Sequence, residues 1–124
     1  MPLYTVSTRK SLPSDTKEKI VKAITKVHCD ITEAIPEFVQ VVFSEGVPLK
    51  SRVDIHLLGS IRSGRNDETK SHLSNSFKQI LSQIMLSTSE RVECILSDVP
   101  ASWVMEGGRI LPEPGDEDAW LARA

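Results

Sequence analysis

Hydrophobic and polar positions follow one arrangement twice along the chain. Residues 3–8 alternate between two faces, which predicts a short strand. After Pro13 the apolar residues recur every three or four positions, which predicts an amphipathic helix, and a second strand over 38–43 follows Pro36. The same order returns as a strand over 53–61, a helix capped by Asn66, and a strand over 92–96. The apolar stripes of the two helices are Ile20, Ile24, Val27 and Ile31 in the first unit and Leu73, Phe77, Ile80 and Ile84 in the second.

These two strand–helix–strand units, residues 2–44 and 52–97, predict one α+β domain over 1–124 with a C-terminal extension over 98–124. Because such crossovers are nearly always right-handed, both helices can lie on one face of a four-stranded sheet. The strand over 38–43 is apolar on both faces, which is typical of a sheet that is covered on both sides. A chain of this size has no second helix layer, so we expect other copies of the chain to cover the second face. We also expect Trp120, in the acidic tail, to dock on a neighbouring subunit.

Composition excludes several classes of function. Fifteen Lys and Arg against seventeen Asp and Glu give a net charge of −2, which argues against a general nucleic-acid binder. No apolar run approaches the ~20 residues that cross a bilayer. The N-terminus also lacks the basic segment followed by an apolar segment that is typical of a secretory signal peptide. We therefore expect a cytoplasmic protein that neither spans a membrane nor is exported. None of the three histidines has an Asp or Glu beside it at ligand spacing, so we expect no metal site.

Pro2 is the first residue that could carry chemistry. Removal of an initiator Met before proline would leave a secondary amine at the start of the first strand. An α-amino group titrates near pH ~8, and an apolar pocket or nearby cations would lower that value further. Such an amine can act as a general base near neutral pH. The alternative is that the Met-Pro opening has no functional consequence.

Arg62 and Arg65 flank a glycine in the loop between a strand and a capped helix. Two guanidinium groups at a helix N-terminus could hold a carboxylate or a phosphate, or they could pair with Asp67 and Glu68 in a solvated turn. The loop lacks the spaced glycines and the Gly-Lys-Ser/Thr ending of a nucleotide-binding P-loop. His28 lies beside the core stripe of the first helix, and a structural role is the simpler interpretation of this histidine than a functional one.

Glu106 follows an apolar stretch, where its carboxylate could be desolvated or could be an ordinary surface charge. With the residues above it completes a pattern that runs through nearly the whole chain. The sequence resembles the tautomerase superfamily, and more closely its cis-3-chloroacrylic acid dehalogenase-like branch. The matching residues are Pro2-x-Tyr4, the helix Val21-Lys22-Ala23-Ile24-Thr25-Lys26-Val27-His28, Arg62-x-x-Arg65, and Pro100-Ala101-x-x-x-Met105-Glu106-x-Gly108-Arg109-x-Leu111-Pro112-x-Pro114-Gly115.

The resemblance implies a fold, an assembly and a set of roles. The fold would be the tautomerase type, with two βαβ units, a four-stranded sheet and two helices on one face, assembled as a homotrimer. Pro2 would transfer a proton to or from a substrate carbon. Arg62, Arg65 and His28 would hold and polarise a small carboxylate substrate, and Glu106 would activate water.

One departure from the family pattern separates the possible activities. The branch has a tyrosine beside the water-activating carboxylate, and Ile95 occupies that position in this sequence. Because isoleucine has no hydroxyl group to position water, the resemblance is weaker evidence for hydrolytic dehalogenation. The resemblance therefore favours a cofactor-independent enzyme that catalyses keto–enol tautomerisation of 2-oxo or unsaturated carboxylates. A hydratase or hydrolytic dehalogenase of 3-haloacrylates that uses Glu106 is the alternative. A third interpretation is a non-catalytic trimeric binding protein, since an amide nitrogen at Pro2, with Met1 retained, has no basic lone pair.

Overall fold

The structure is a computed structural model that describes residues 1–123. Six strands and three helices follow one another along the chain, with single turns of 3₁₀ helix at Pro36–Phe38, Ser89–Arg91 and Ala101–Trp103. The order is β1 (Leu3–Ser7), α1 (Ser14–Thr32), β2 (Gln40–Ser44), β3 (Ile55–Arg62), α2 (Asp67–Ile84), β4 (Val92–Val99), β5 (Met105–Glu106), β6 (Arg109–Ile110) and α3 (Glu117–Ala122).

The main sheet has four strands in the order β2-β1-β3-β4. β1 runs parallel to β2 and β3 runs parallel to β4, whereas β1 and β3 are antiparallel. Each parallel pair is joined through one long helix, as the repeated hydrophobic pattern predicts. The fold is therefore α+β and is built from two βαβ units, which confirms the predicted fold class.

One continuous core lies between the sheet and the two long helices. Tyr4 and Val6 of β1 and alternate residues of β3 point into it, and both α1 and α2 pack there, so both helices cover the same face of the sheet. The buried positions of α1 are Ile20, Ile24 and His28. His28 thus lies in the centre of the core stripe rather than on its flank. In α2 the side chain of Asn66 caps the helix by accepting a hydrogen bond from the backbone N–H of Thr69 at 2.8 Å, as predicted.

The opposite face of the sheet carries no helix. Thr5 pairs with Val42 on one side and with Leu58 on the other, and Leu58 pairs with Ile95, so these four side chains form a row across the sheet. Val42 is 51 % exposed and Ile95 is 50 % exposed. Phe38, which was expected to open the second strand, lies instead in a 3₁₀ turn because Pro36 begins that turn.

The C-terminal extension folds back on its own chain. β5 and β6 form a two-stranded hairpin, and α3 packs beside it. Trp120 donates a hydrogen bond from Nε1 to the carbonyl of Ile110 at 2.7 Å, and the Arg109 guanidinium lies 4.1 Å from the centre of its ring. The indole of Trp120 is thus engaged within its own chain, and the expectation that Trp120 docks on a neighbouring subunit stays a prediction. None of the helices in the described residues is both long and apolar enough to span a bilayer.

Candidate active site

One edge of the main sheet brings together most of the residues singled out from the sequence. The strand register places the start of β1 beside the start of β2 and opposite the end of β3, and the end of β4 lies at the same edge. α1 ends and α2 begins there, because each helix runs antiparallel to the strand that precedes it. Residues before β1, at the end of α1 and after β3 therefore meet at one place.

The amino terminus lies at this edge and contacts Glu106. Pro2 is buried and its carbonyl accepts a hydrogen bond from the backbone N–H of Gln40 at 3.0 Å, which fixes Pro2 at the start of β1. In the described chain Met1 precedes Pro2, and its terminal ammonium donates to the carbonyl of Phe38 at 3.2 Å. The same ammonium forms an ion pair with the carboxylate of Glu106. A terminal amine and a carboxylate thus face one another directly.

The two arginines differ in what they contact. Arg62, only 5 % exposed, donates from Nη1 to the carbonyl of Pro112 and from Nη2 to the carboxylate of Glu117, each at 2.7 Å. Arg65 donates from Nη1 to the carbonyl of Arg62 at 3.1 Å, which is the only hydrogen bond of its guanidinium to residues 1–123. Neither arginine pairs with Asp67 or Glu68 in that part of the chain. The guanidinium of Arg65 therefore keeps most of its donors available, whereas that of Arg62 is held by the tail.

His28 is completely buried and neutral. Its Nδ1 lies 2.7 Å from the hydroxyl of Tyr4, and its Nε2 has no hydrogen-bond partner among the described residues. Burial, followed by the positive charges of Arg65, Arg62 and the terminal amine, lowers the pKa of His28 to about 3. Burial is also the main reason that the pKa of Tyr4 is raised far above its usual value, so the phenol keeps its proton.

A cavity of about 520 Å³ opens beside Arg65, within the range of small-molecule sites. Residues 31–35, at and after the end of α1, form one wall, and Arg65 and Asn66 form a second. The tail closes the third side with Pro114, Gly115 and Glu117. No group of three or more His, Cys, Asp or Glu side chains in residues 1–123 is placed to hold a metal ion. Of the residues predicted for the site, only Arg65 lines this cavity, and Pro2, His28, Arg62 and Glu106 are not part of its lining.

Solved structures share this fold over almost the whole chain. The structure of N1, a member of the cis-3-chloroacrylic acid dehalogenase (cis-CaaD) family, matches with a TM-score of 0.91 and 26 % identity, covering 98 % of this chain and 92 % of that one. The chain has the fold of the tautomerase superfamily. Native fused 4-OT (TM-score 0.79, 18 % identity, 87 % of this chain and 94 % of that one) and malonate semialdehyde decarboxylase (0.73, 15 %, 87 % and 93 %) share the fold. No protein-family model and no curated protein sequence matches the chain.

Ile95 lies away from the edge of the sheet that carries Arg62. It pairs with Leu58 in the middle of the β3–β4 ladder, four residues before the level of Arg62. At about 3.3 Å per residue, this separation is roughly 13 Å along the strands. Its side chain also points to the face without helices, where it is half exposed. A tyrosine at this position would therefore not reach the carboxylate of its own subunit.

Two contacts at this edge of the sheet were not predicted from the sequence. Glu117 pairs with Arg62, which is 55 residues away in the sequence, and no local sequence pattern predicts this ion pair. The hydroxyl of Tyr4 was also not assigned to His28, although both residues belong to the motifs that carry the family resemblance. The position of Tyr4 on the inward face of β1 and that of His28 in the i, i+4 row of Ile20 and Ile24 could have indicated their contact.

Proposed function

We propose that the chain is a cofactor-independent enzyme that uses the amino group of Pro2, freed by removal of Met1, for keto–enol tautomerisation of small 2-oxo or unsaturated carboxylates. The single observation that carries the proposal is the position of the amino terminus, which lies against Glu106 at the sheet edge that also carries both arginines. Removal of Met1 would leave an amine on a residue that is already fixed by the ladder hydrogen bond to Gln40.

The reaction would need one base and one anion site. Neutral Pro2 would take the hydroxyl proton of the enol and deliver a proton to the neighbouring carbon, so that the amine returns to its starting state. Arg65 and Arg62 would hold the substrate carboxylate and stabilise charge that develops on the adjacent oxygen. Proton transfer by one positioned group contributes about 10²–10⁴-fold to a rate.

The test begins with the intact mass of the protein purified from its native host. Protein that lacks Met1 should convert an enolpyruvate, and Pro2→Ala should lower kcat by about 10²-fold or more. Pro48→Ala is the matched control, because it makes the same substitution at an exposed loop proline. Quantitative retention of Met1, or full activity of Pro2→Ala, would exclude the mechanism and leave the non-catalytic binding protein as the better interpretation.

A second candidate is hydration or dehalogenation of a 3-haloacrylate, and the direct contact of Glu106 with the terminal amine supports it. Glu106 would activate water, and protonated Pro2 would supply the acid. The tautomerase needs a neutral amine, so its rate should fall as pH drops below the pKa of Pro2, whereas the hydratase rate should fall as pH rises above it. Glu106→Gln should abolish turnover of cis-3-chloroacrylate while it lowers enol tautomerisation by less than about tenfold; a substantial loss of both activities would argue against separate roles.

We further propose that the protein is a homotrimer that acts outside the membrane, in the cytoplasm. The similar fused 4-OT structures are described as symmetric and asymmetric trimers. In this chain the half-exposed Val42 and Ile95 lie on the sheet face without helices, and burial of such apolar area is the main favourable contribution to association. Light scattering on the purified protein would test the trimer.

A further inference from the structure

The tight turn between β5 and β6 places an acidic and a basic residue directly opposite each other. Gly107 and Gly108 form the turn with positive φ values of 60° and 77°, and Glu106 pairs with Arg109 across the hairpin. Directly opposite residues of an antiparallel pair lie on the same face, with their Cβ atoms about 4.5–5.5 Å apart. The backbone alone therefore favours an ion pair between the carboxylate of Glu106 and the guanidinium of Arg109.

The structure forms no such ion pair within residues 1–123, because each side chain has another partner. The carboxylate of Glu106 pairs with the terminal ammonium of Met1. The guanidinium of Arg109 lies over the ring of Trp120, 4.1 Å from its centre, and its Nη2 also donates to the backbone carbonyl of Trp120. The two charges of the hairpin are thus directed to different partners, one at the amino terminus and the other in α3.

Two further contacts hold the indole of Trp120 in the position that receives this guanidinium. Its Nε1 donates to the carbonyl of Ile110 at 2.7 Å, which attaches the ring to β6 next to Arg109. Its ring also packs edge-on against Phe38, with the ring centres 6.1 Å apart, and the carbonyl of Phe38 accepts the terminal ammonium. Trp120 is therefore held against the residue that also contacts the amino terminus.

A guanidinium on Glu106 would change what the carboxylate and the terminal amine can do. It would occupy lone pairs of the carboxylate that otherwise accept from the amine or from water. It would also bring a positive charge close to the amine, which favours the neutral form of the amine. The face of an indole attracts a guanidinium. Trp120 thus offers Arg109 an alternative partner and leaves the carboxylate of Glu106 to the amine.

We propose that Trp120 is a positioning residue that binds the guanidinium of Arg109 and so keeps the carboxylate of Glu106 available to the terminal amine. The contacts of Arg109, Trp120 and Glu106 carry this inference without any substrate, and only its consequence for turnover rests on the proposed function. In the reaction that uses water, the same arrangement leaves Glu106 free to activate it.

The titration of the terminal amine measures this role without a substrate. In Met1-free protein labelled with ¹⁵N-proline, NMR follows Pro2 alone, because every other proline nitrogen is an amide and does not titrate. Protein that keeps Met1 is labelled with ¹⁵N-methionine and titrated in the same way. We expect Trp120→Leu to lower the midpoint of the titration by about one pH unit, since Arg109 then pairs with Glu106. Trp120→Phe keeps an aromatic face for the guanidinium and should leave the midpoint unchanged.

A double variant separates positioning from a purely structural role of the indole. Arg109→Gln removes the competing charge, so Trp120→Leu/Arg109→Gln should restore the midpoint of the unmodified protein, which repair of tail packing would not explain. Trp103→Leu is the matched control, because it removes an exposed tryptophan from the same extension and should have no effect. If Trp120→Leu does not fold, Trp120→Gln removes the aromatic face in a second way. An unchanged midpoint without the aromatic face, or a shift that Arg109→Gln does not reverse, would overturn the proposal.

Turnover distinguishes failure of this inference from failure of the proposed function. Hydration or dehalogenation needs protonated Pro2, so Trp120→Leu should lower kcat for cis-3-chloroacrylate about tenfold at a pH above the midpoint, and Arg109→Gln in the same chain should restore it. The pH profile of tautomerisation, which needs the neutral amine, should instead move to lower pH. The expected titrations without turnover of any substrate would refute the proposed function and leave the role of Trp120 intact. Turnover with an unshifted amine in Trp120→Leu would overturn the role of Trp120 and leave the proposed function.

Discussion

The ion pair between Arg62 and Glu117 should anchor the tail over the cavity, and a double-mutant cycle can measure its strength. Nη2 of Arg62 donates to Oε1 of Glu117 at 2.7 Å, and the carboxylate also accepts the backbone N–H of Gly115 at 2.9 Å. The side chain of Arg62 is 5 % exposed and that of Glu117 is 24 % exposed. A hydrogen bond to a charged group contributes about 1.5–3 kcal/mol, and the partial exposure of Glu117 places this pair at the lower end.

We therefore expect Arg62→Ala and Glu117→Ala to show a coupling energy of about 1–2 kcal/mol in urea unfolding at one fixed protein concentration. Glu117→Ala alone should cost more than that, because it leaves the charge of Arg62 nearly buried and unpaired. Glu113→Ala removes an exposed carboxylate from the same segment and should change the free energy of unfolding by less than about 0.5 kcal/mol. A coupling energy near zero would refute the assignment of the pair as the anchor of the tail.

The pH dependence of this pair gives a second check with a definite sign. Burial raises the pKa of Glu117, but the hydrogen bonds and the charge of Arg62 outweigh burial, and the net pKa lies below the usual value of 4.5. The folded state then binds fewer protons than the unfolded state near that pH. The pair should thus stabilise the protein above pH ~4.5, and its contribution should fade as the pH falls below that value. The destabilisation by Glu117→Ala should shrink over the same interval.

Three further changes test other parts of the structure. Hydrogen bonds from Arg91, and then from Ser87, hold the pKa of Asp54 at about 2, below its usual value of 3.8. Urea unfolding should therefore show that Asp54→Asn destabilises the protein by about 0.5–1 kcal/mol at pH 7, and that this destabilisation disappears near pH 2. An equal destabilisation at both pH values would refute this reasoning. Gly59→Ala should cost about 1–3 kcal/mol of unfolding free energy by the same measurement, because the new Cβ overlaps the ring of a buried tyrosine; a wild-type midpoint would show that the ring can move away. Ile95→Glu should convert the trimer to smaller species in light scattering, since it places a charge on the uncovered sheet face; an intact trimer would remove that face from the interface.

Sequence periodicity was sufficient to predict both long helices and the succession of the four main strands along the chain, but not their order β2-β1-β3-β4 within the sheet. A helix that packs on a sheet must repeat its apolar residues every 3.6 positions, and this requirement leaves a direct trace in the sequence. The same periodicity was less informative about His28, because a polar ring in a core stripe is acceptable only when a partner satisfies it. That partner, Tyr4, comes from a different element, and 24 residues separate the two side chains.

The tail was predicted least well, for a related reason. Two prolines and a glycine, Pro112, Pro114 and Gly115, break regular structure without indicating where the chain goes next. The position of the tail depends on pairs that are distant in sequence, such as Arg62 with Glu117. Trp120 illustrates the same point, since nothing in its local sequence indicates that its indole donates a hydrogen bond to the carbonyl of Ile110.

The charges around the cavity determine which anions should bind best. Glu117 neutralises Arg62, and Glu33 and Asp118 add acidic side chains to the lining. Arg65 therefore provides the positive charge that no carboxylate in residues 1–123 compensates directly. A ligand with one carboxylate can pair with Arg65, whereas a second carboxylate on the same ligand would approach the acidic side chains. At an effective dielectric constant near ~20, like charges some ~10 Å apart repel by roughly 0.6 kcal/mol after screening by salt, or about threefold in affinity. We therefore expect crotonate to bind Met1-free protein more tightly than fumarate, which has the same number of carbon atoms, and Glu117→Gln to reduce the difference; tighter binding of fumarate would show that both guanidinium groups remain available to the ligand.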